Sequence, residues 1–176
     1  MDNNIKNFIR SIKDFPKPGI MFRDITTILQ NPEAMKLTEV ELFNSIKDLK
    51  VDKVVGIESR GFIFGSILAR RLNVGFIPIR KPGKLPFEKI SETYALEYGT
   101  DTIEIHQDAI LPGEKVIIHD DLLATGGTAK AACNLIEKLG GEVVQLSFIV
   151  ELSFLSGRNL LEKYLVNSVV QYHDEN

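Results

Sequence analysis

Short apolar runs alternate with amphipathic stretches along most of the chain, and this alternation predicts its secondary structure. Runs rich in valine and isoleucine predict strands at residues 53–57, 74–79, 115–119, 143–150 and 166–172. Apolar positions at helical spacing predict helices at 61–72, 128–139 and 157–164. A further helix is predicted to begin at Asn31-Pro32, because Asn is a good N-cap and Pro suits the first helical turn.

Two patterns outside this alternation predict further elements. Ile5, Phe8, Ile9 and Ile12 share one helical face, which predicts a short amphipathic helix over residues 3–13. Residues 93–98 and 102–106 alternate on either side of Gly99 and predict a β-hairpin. Residues 80–92 carry Pro, Gly and many charges and are predicted to form a loop.

Strands that alternate with helices predict an α/β fold with a central, mainly parallel sheet flanked by helices on both faces. In such sheets ligands bind at the carboxyl ends of the strands. We therefore expect three loops to converge at one edge of the sheet: 58–61, 80–84 and 120–128.

Composition and charge narrow the class of protein. The chain has 176 residues, 44% of them hydrophobic, and this predicts one domain with a sizeable core. A formal net charge of −3 without a long basic tract gives no sign of binding to nucleic acid or a membrane surface. The single cysteine, Cys133, fits a reducing cytoplasm. No apolar run is long enough to span a membrane, and no signal peptide is visible, so we expect a cytoplasmic protein.

The most informative stretch combines a buried strand at 115–119, the paired carboxylates Asp120 and Asp121, and a loop of small residues before a helix. The loop residues allow backbone N–H groups to surround a phosphate at the positive end of the helix: Ala124, Thr125, Gly126, Gly127 and Thr128. The carboxylates would repel phosphate, so they suit a neighbour that offers hydroxyls or a metal-bound water, such as a ribose next to its 5′-phosphate. A plain strand-to-helix turn would leave them unexplained. No P-loop or G-x-G-x-x-G motif is present.

Other segments contain residues with candidate functions, but each of these gives a weaker indication of function by itself. Arg60 lies at a predicted helix N-terminus, which disfavours a cation and therefore suggests contact with a pyrophosphate. Arg80, Lys81 and Lys84 form either a solvated charged loop or a second pyrophosphate contact. Glu97 stands between aromatic residues, where a raised pKa is feasible.

Two remaining patterns have a structural reading. The apolar turn at 15–24 contributes either to the core or to a sandwich around a flat base. The three histidines show no metal-ligand spacing, and His119 is read as structural.

Five segments, 15–24, 58–62, 80–86, 96–99 and 120–128, occur in an order that resembles the adenine phosphoribosyltransferase branch of the type I phosphoribosyltransferases. The resemblance covers about residues 5–165 and implies that fold, as a single domain over 1–176 with a small hood from about residues 1–30. It also implies cytoplasmic homodimers that convert adenine and phosphoribosyl pyrophosphate (PRPP) to AMP and pyrophosphate with Mg²⁺, which binds through PRPP rather than directly to protein side chains.

The same resemblance implies a role for each matched residue. Residues 124–128 would bind the 5′-phosphate, and Asp120 and Asp121 the ribose hydroxyls. Pyrophosphate would meet three cations, Arg60, Arg80 and Lys84, with Arg80 acting in its own or the partner's site. Adenine would meet Met21, Phe22 and Arg23, and the first and last of these would contact it through their backbones. Glu97 would be the acid/base, with Tyr98 beside it.

Two alternatives stay open at this point. One is a related transferase for hypoxanthine, guanine, xanthine or orotate, which the segments 15–24 and 96–99 argue against. The other is a non-catalytic PRPP-binding regulator, which would need a DNA-binding appendage; the first fifty residues lack a basic helix-turn-helix pattern.

Overall fold

The structure, a computed structural model, describes residues 5–95 and 99–175. Its centre is a sheet of five strands, all parallel, in the order β4-β3-β7-β8-β9. These strands are β3 (Lys53–Ile57), β4 (Gly75–Ile79), β7 (Lys115–Leu123), β8 (Glu142–Leu152) and β9 (Val166–Tyr172). The predicted parallel sheet is confirmed, and the predicted strands correspond to observed ones.

Helices cover both faces of this sheet because neighbouring strand residues point to opposite sides. Ile118 packs in the core beneath the last helix, and Ile117 packs in the core beneath the earlier ones. The helices are α1 (Thr26–Gln30), α2 (Pro32–Asn44), α3 (Gly61–Leu72) and α4 (Gly127–Lys138). The predicted cap of α2 is present: Asn31 Oδ1 accepts hydrogen bonds from the backbone N–H groups of Glu33 and Ala34, at 2.9 and 3.0 Å.

Two antiparallel hairpins stand apart from the central sheet. The N-terminal one pairs β1 (Arg10–Lys13) with β2 (Met21–Asp24). The other pairs β5 (Lys89–Ala95) with β6 (Thr100–His106), so the predicted hairpin is present but begins earlier than expected.

The helix predicted over residues 3–13 was wrong. A short 3₁₀ helix, Ile5–Phe8, is followed directly by β1. Antiparallel pairing with β2 satisfies the backbone of Arg10–Lys13, and Arg10 Nη2 lies 2.6 Å from Asp24 Oδ2 across the pair. Partners distant in sequence therefore override the local helical spacing of the apolar residues.

Two element boundaries also differ from prediction. Strand β7 continues to Leu123, so Asp120 and Asp121 belong to the strand rather than to the loop, because β8 pairs with it as far as Leu123, opposite Glu151. The helix predicted over 157–164 is a 3₁₀ helix, Gly157–Leu161. Within the residues described, no helix combines the length and the apolar character that a membrane crossing requires.

Candidate active site

A cavity of about 410 Å³ opens at the carboxyl ends of β3 and β7. It lies where parallel α/β sheets place their ligands. Its walls come from the end of β3, the end of β7, the loop into α4 and the β5–β6 hairpin. The described lining residues include Glu58, Ser59, Arg60, Lys81, Tyr94, Asp101, Asp120, Asp121, Ala124, Thr125, Gly126, Gly127 and Thr128. Arg60 and all of the predicted phosphate and ribose residues are thus brought together.

The loop between β7 and α4 presents its backbone to this cavity. Gly126 is the N-cap of α4 and has φ = 85°, a left-handed conformation that favours glycine. Its carbonyl accepts the N–H of Lys130 at 2.9 Å and so starts the helix. The free N–H groups of the first turn and the positive end of the helix dipole make this wall suitable for an anion.

The two adjacent carboxylates have different environments. Asp121 is buried, and its Oδ2 lies 2.5 Å from Nε of Arg60. Asp120 Oδ1 accepts the backbone N–H of Asp121 at 2.9 Å. Burial and the adjacent negative charge of Asp121 raise the pKa of Asp120 well above its ordinary value. The site thus holds one ion-paired carboxylate and one that tends to take up a proton.

Glu58 binds two cations of the following loop, Arg80 and Lys84, a role that we did not predict. Its carboxylate accepts hydrogen bonds from the Lys84 ammonium, from the backbone N–H of Lys81 at 2.8 Å and from Arg80 Nε at 3.1 Å. Burial would raise the pKa of Glu58, but these bonds outweigh it and lower the pKa to about 2. Arg80 and Lys84, predicted to contact pyrophosphate, are bonded to Glu58 and are not among the described lining residues.

The β5–β6 hairpin is bonded to the first turn of α4. Thr128 Oγ1 donates to Tyr94 Oη at 2.9 Å, and Tyr94 Oη donates to Asp101 Oδ2 at 3.2 Å. The same Asp101 carboxylate forms an ion pair with Lys81. Burial raises the pKa of the Tyr94 phenol, so Tyr94 stays a neutral donor at physiological pH. This chain of polar contacts ties the hairpin to the wall of the cavity.

The three residues predicted to meet adenine lie on β2, outside the described lining of this cavity. The Phe22 ring centroid lies 5.4 Å from Cζ of Arg60, so β2 runs close to the cavity. The Arg23 side chain is buried elsewhere: its Cζ lies 3.9 Å from the Tyr172 ring centroid, and its Nη2 donates to the backbone oxygen of Glu175 at 3.2 Å. Any contact of Arg23 with a base would therefore use its backbone, as the sequence predicted for Met21 too.

Glu97 and Tyr98, the predicted acid/base and its neighbour, lie outside the described residues. Sequence reasoning also left several lining residues without a role: Glu58, Ser59, Tyr94 and Asp101. Lys81, which also lines the cavity, was predicted to belong either to a solvated charged loop or to a second pyrophosphate contact. Charge alone could not separate it from Arg80 and Lys84, because the partners of each cation depend on the tertiary fold.

No group of three or more His, Cys, Asp or Glu side chains in 5–95 and 99–175 could hold a metal ion. Aspartates 101, 120 and 121 nevertheless line the cavity. This donor set fits Mg²⁺ held mainly by substrate oxygens and water, because Mg²⁺ keeps several waters and needs few protein carboxylates.

Comparisons with known proteins agree with this geometry. Residues 24–167 match the phosphoribosyl transferase domain family. An adenine phosphoribosyltransferase from Flavobacterium johnsoniae is 58% identical over 168 residues, which cover 96% of this chain and 99% of that protein. The chain therefore belongs to the phosphoribosyltransferase family, with the type I fold, and within it to the adenine phosphoribosyltransferases. It is an enzyme that transfers a phosphoribosyl group to adenine, giving AMP.

Solved structures give the same result. The adenine phosphoribosyltransferase of Thermoanaerobacter pseudethanolicus superposes with a TM-score of 0.93 at 50% identity, covering 96% of this chain and 98% of that one. The Saccharomyces cerevisiae enzyme, solved with adenine and an imino-altritol bisphosphate, has a TM-score of 0.88 at 42% identity, covering 94% and 96%.

Proposed function

We propose that the cavity described above is the site of this transfer and that it works with Mg²⁺ on PRPP. The observation that carries the proposal is the meeting of the small-residue loop, the α4 N-terminus, the paired aspartates and Arg60 in one cavity. The loop and helix end attract a phosphate, whereas the aspartates repel one and attract hydroxyls. A ribose 5-phosphate is a ligand with both kinds of group at adjacent positions.

The 5′-phosphate is proposed to bind the backbone N–H groups of residues 124–128 and the Thr128 hydroxyl. The ribose hydroxyls then donate to Asp120 and Asp121, which lie at the end of the strand that leads into the loop. Asp121 forms an ion pair with Arg60, and hydrogen bonds to such a carboxylate are strong. A hydroxyl donor also favours ionised Asp120, which burial disfavours.

Pyrophosphate is proposed to bind Arg60, Arg80 and Lys84. These three cations pair with carboxylates, Arg60 with Asp121 and the other two with Glu58. These partners hold the guanidinium and ammonium groups close to the cavity. The substrate then competes with two carboxylates, and its larger negative charge favours the exchange.

Mg²⁺, bound through PRPP oxygens and water near Asp120 and Asp121, would neutralise negative charge on the departing pyrophosphate. As the bond from ribose C1 to pyrophosphate breaks, positive charge develops on the ribose, and adenine N9 attacks C1. Asp120 and Asp121 hold the sugar for this attack, and Arg60, Arg80 and Lys84 stabilise the leaving group.

Adenine is proposed to lie against β2, with Met21 and Arg23 contacting it through their backbones and Phe22 against its ring. The yeast relative, solved with adenine, supports a base site in this fold. Glu97 manages the purine proton near N7, with Tyr98 beside it. The β1–β2 hairpin is the proposed hood, and the chain is proposed to act as a cytoplasmic homodimer.

The metal requirement is tested with the purified enzyme, adenine and PRPP, with AMP measured as the product. We expect little AMP in excess EDTA and full recovery on adding MgCl₂ beyond the chelator. Undiminished AMP formation in EDTA would contradict the role of Mg²⁺. A sedimentation experiment at assay concentration tests the homodimer, and a monomer that retains full activity would contradict it.

A further inference from the structure

A short segment after β8 contacts the loop between β7 and α4, the proposed 5′-phosphate site. This segment, residues 153–161, consists of two 3₁₀ helices, Ser153–Leu155 and Gly157–Leu161. A Cβ atom on Gly126 would lie 2.4 Å from the carbonyl oxygen of Gly157, and one on Gly157 would lie 2.1 Å from that of Ala124. The two backbones are therefore in direct contact, and neither glycine can take a side chain without displacing the other segment.

An ion pair fixes this segment to the central sheet. Arg158 Nε and Nη2 each lie 2.7 Å from a carboxylate oxygen of Glu151, a bidentate arrangement. Glu151 lies near the end of β8 and is only 3% exposed. Arg158 Nη1 also donates to the backbone oxygen of Val166 at 2.9 Å, at the start of β9. The Ser168 hydroxyl donates a further bond to Glu151.

Glu151 and Arg158 are not among the described residues that line the cavity, and the proposed reaction gives them no direct contact with a ligand. Burying the Glu151 carboxylate costs desolvation energy, so its burial in this pair is by itself weak evidence for stability. What the bidentate pair does supply is a single geometry for Arg158. That geometry places Gly157, the neighbour of Arg158, against the phosphate loop.

We infer that Glu151 and Arg158 are positioning residues for the 5′-phosphate, acting through Gly157 on residues 124–126. This inference rests on the proposed function, because it takes that loop as the 5′-phosphate site. It requires that loss of the Glu151–Arg158 pair weakens the binding of ligands that carry the 5′-phosphate. Ligands that lack this phosphate, such as pyrophosphate, should be unaffected, since their proposed partners Arg60, Arg80 and Lys84 lie on other segments.

The test compares Arg158→Met with Arg71→Met in the full-length enzyme. Arg71 Nη1 lies 3.3 Å from Glu39 Oε1, so the control also removes an Arg–Glu pair, but at the far end of α3. Titration calorimetry measures ribose 5-phosphate and pyrophosphate separately. We expect Arg158→Met to raise the Kd for ribose 5-phosphate about tenfold or more and to leave that for pyrophosphate within about twofold. Arg71→Met should change neither.

Two further variants separate positioning from general stability. Arg158→Lys keeps the charge but loses the bidentate geometry, so its Kd for ribose 5-phosphate should fall between those of wild type and Arg158→Met. Gly157→Ala should weaken the binding of ribose 5-phosphate without removing the ion pair between Glu151 and Arg158. Gly75→Ala is its control, because there a Cβ meets only the flexible Lys53 side chain, at 3.2 Å. If Arg158→Met does not fold, the Kd values of Arg158→Lys and Gly157→Ala for ribose 5-phosphate test the inference in its place.

The outcomes distinguish this inference from the proposed function. If the wild type binds ribose 5-phosphate and the folded variants bind it equally well, the positioning role is wrong. An equal loss of ribose 5-phosphate and pyrophosphate binding would mean a general structural role and would also overturn it. If the wild type itself does not bind ribose 5-phosphate, the proposed function fails first.

Discussion

Arg60 Nε lies 2.5 Å from Asp121 Oδ2, so a cation proposed to bind pyrophosphate is paired with a carboxylate proposed to bind ribose. Arg60 follows the end of β3, and Asp121 lies within β7. These two strands are adjacent in the sheet. In the proposed PRPP site, this pair joins the part that would bind pyrophosphate to the part that would bind ribose. A ligand that draws Arg60 towards its pyrophosphate would leave Asp121 available for the ribose hydroxyls.

The paired aspartates give the first prediction. Asp120→Asn with Asp121→Asn should leave the fold intact and lower kcat/KM for PRPP about a hundredfold or more. Each lost hydrogen bond to a charged group is worth roughly 1.5–3 kcal/mol. Steady-state kinetics measure the effect, and Asp108→Asn, at an exposed position, is the control. Near-normal activity of the double variant would rule out the ribose assignment.

Glu58 gives a stability prediction. Its folded-state pKa is lowered to about 2, so its ionised form stabilises the fold above its ordinary pKa of 4.5. That stabilisation is lost as the pH falls from 4.5 towards 2. Glu58→Gln should therefore lower the free energy of unfolding at pH 7 by roughly 2–3 kcal/mol and flatten its pH dependence below 4.5.

Urea unfolding at pH 7 and pH 3 measures the effect of Glu58→Gln. The control is Glu41→Gln, because Glu41 is exposed on α2. If the two variants lose the same free energy at both pH values, the cluster around Glu58 does not stabilise the fold.

His119 gives a prediction at milder acidity. It is fully buried beside Ser147 of β8, and burial lowers its pKa from 6.5 to about 3. The neutral ring is favoured in the fold, so stability is full above pH 6.5 and falls as the pH drops towards 3. One proton taken up on unfolding gives a slope of about 1.4 kcal/mol per pH unit.

His119→Leu should remove this slope between pH 6.5 and 5, measured by urea unfolding at several pH values. His173→Leu, at an exposed position, should leave the slope unchanged. An unchanged slope in His119→Leu would show that His119 does not control acid stability in this range.

Glu97 is tested by Glu97→Gln, which keeps the size of the side chain but removes its proton exchange. General acid–base catalysis typically contributes about 10²–10⁴-fold, so kcat should fall by that order while PRPP binding survives. Single-turnover kinetics separate the two quantities, and Glu88→Gln, at an exposed position, is the control. Lost binding with unchanged chemistry in the bound complex would make Glu97 a positioning residue.

The sequence correctly predicted those elements whose local residue pattern matches their environment in the fold. The run at 116–118 is apolar on both faces, and the strand segment it forms is buried on both faces. Asn31-Pro32 specifies a helix start through local hydrogen bonds alone, and α2 begins there. Residues 124–128 are all small, so the position of this segment at the start of α4 could also be predicted from the sequence.

The misses share a different cause, which is partners distant in sequence. Residues 10–13 form a strand because β2 pairs with them, and no local pattern announces that pairing. Arg80 and Lys84 bond to Glu58, more than twenty residues earlier, and Arg23 reaches Tyr172 and Glu175 near the other end of the chain. Such contacts depend on the assembled fold, so the sequence identified these cations without giving their partners.

Base choice tests the central claim. If backbone groups of Met21 and Arg23 read the purine edge, a carbonyl accepts from the adenine amine and an N–H donates to N1. Hypoxanthine presents an oxygen and an N1–H at these places, so both bonds are mismatched. Sites built on such bonds reject the wrong ligand by about 10⁴–10⁵-fold. Arg23→Ala should change this selectivity little if the fold survives, because its side chain packs against Tyr172.

The most direct measurement is kcat/KM for adenine and for hypoxanthine, each with saturating PRPP and Mg²⁺, in the wild type and in Arg23→Ala. We expect the wild type to prefer adenine by about 10⁴-fold or more, and the variant to keep that preference even if its stability falls. Selectivity lost only in the variant would mean that the Arg23 side chain reads the base. Comparable use of adenine and hypoxanthine by the wild type would contradict the adenine assignment itself.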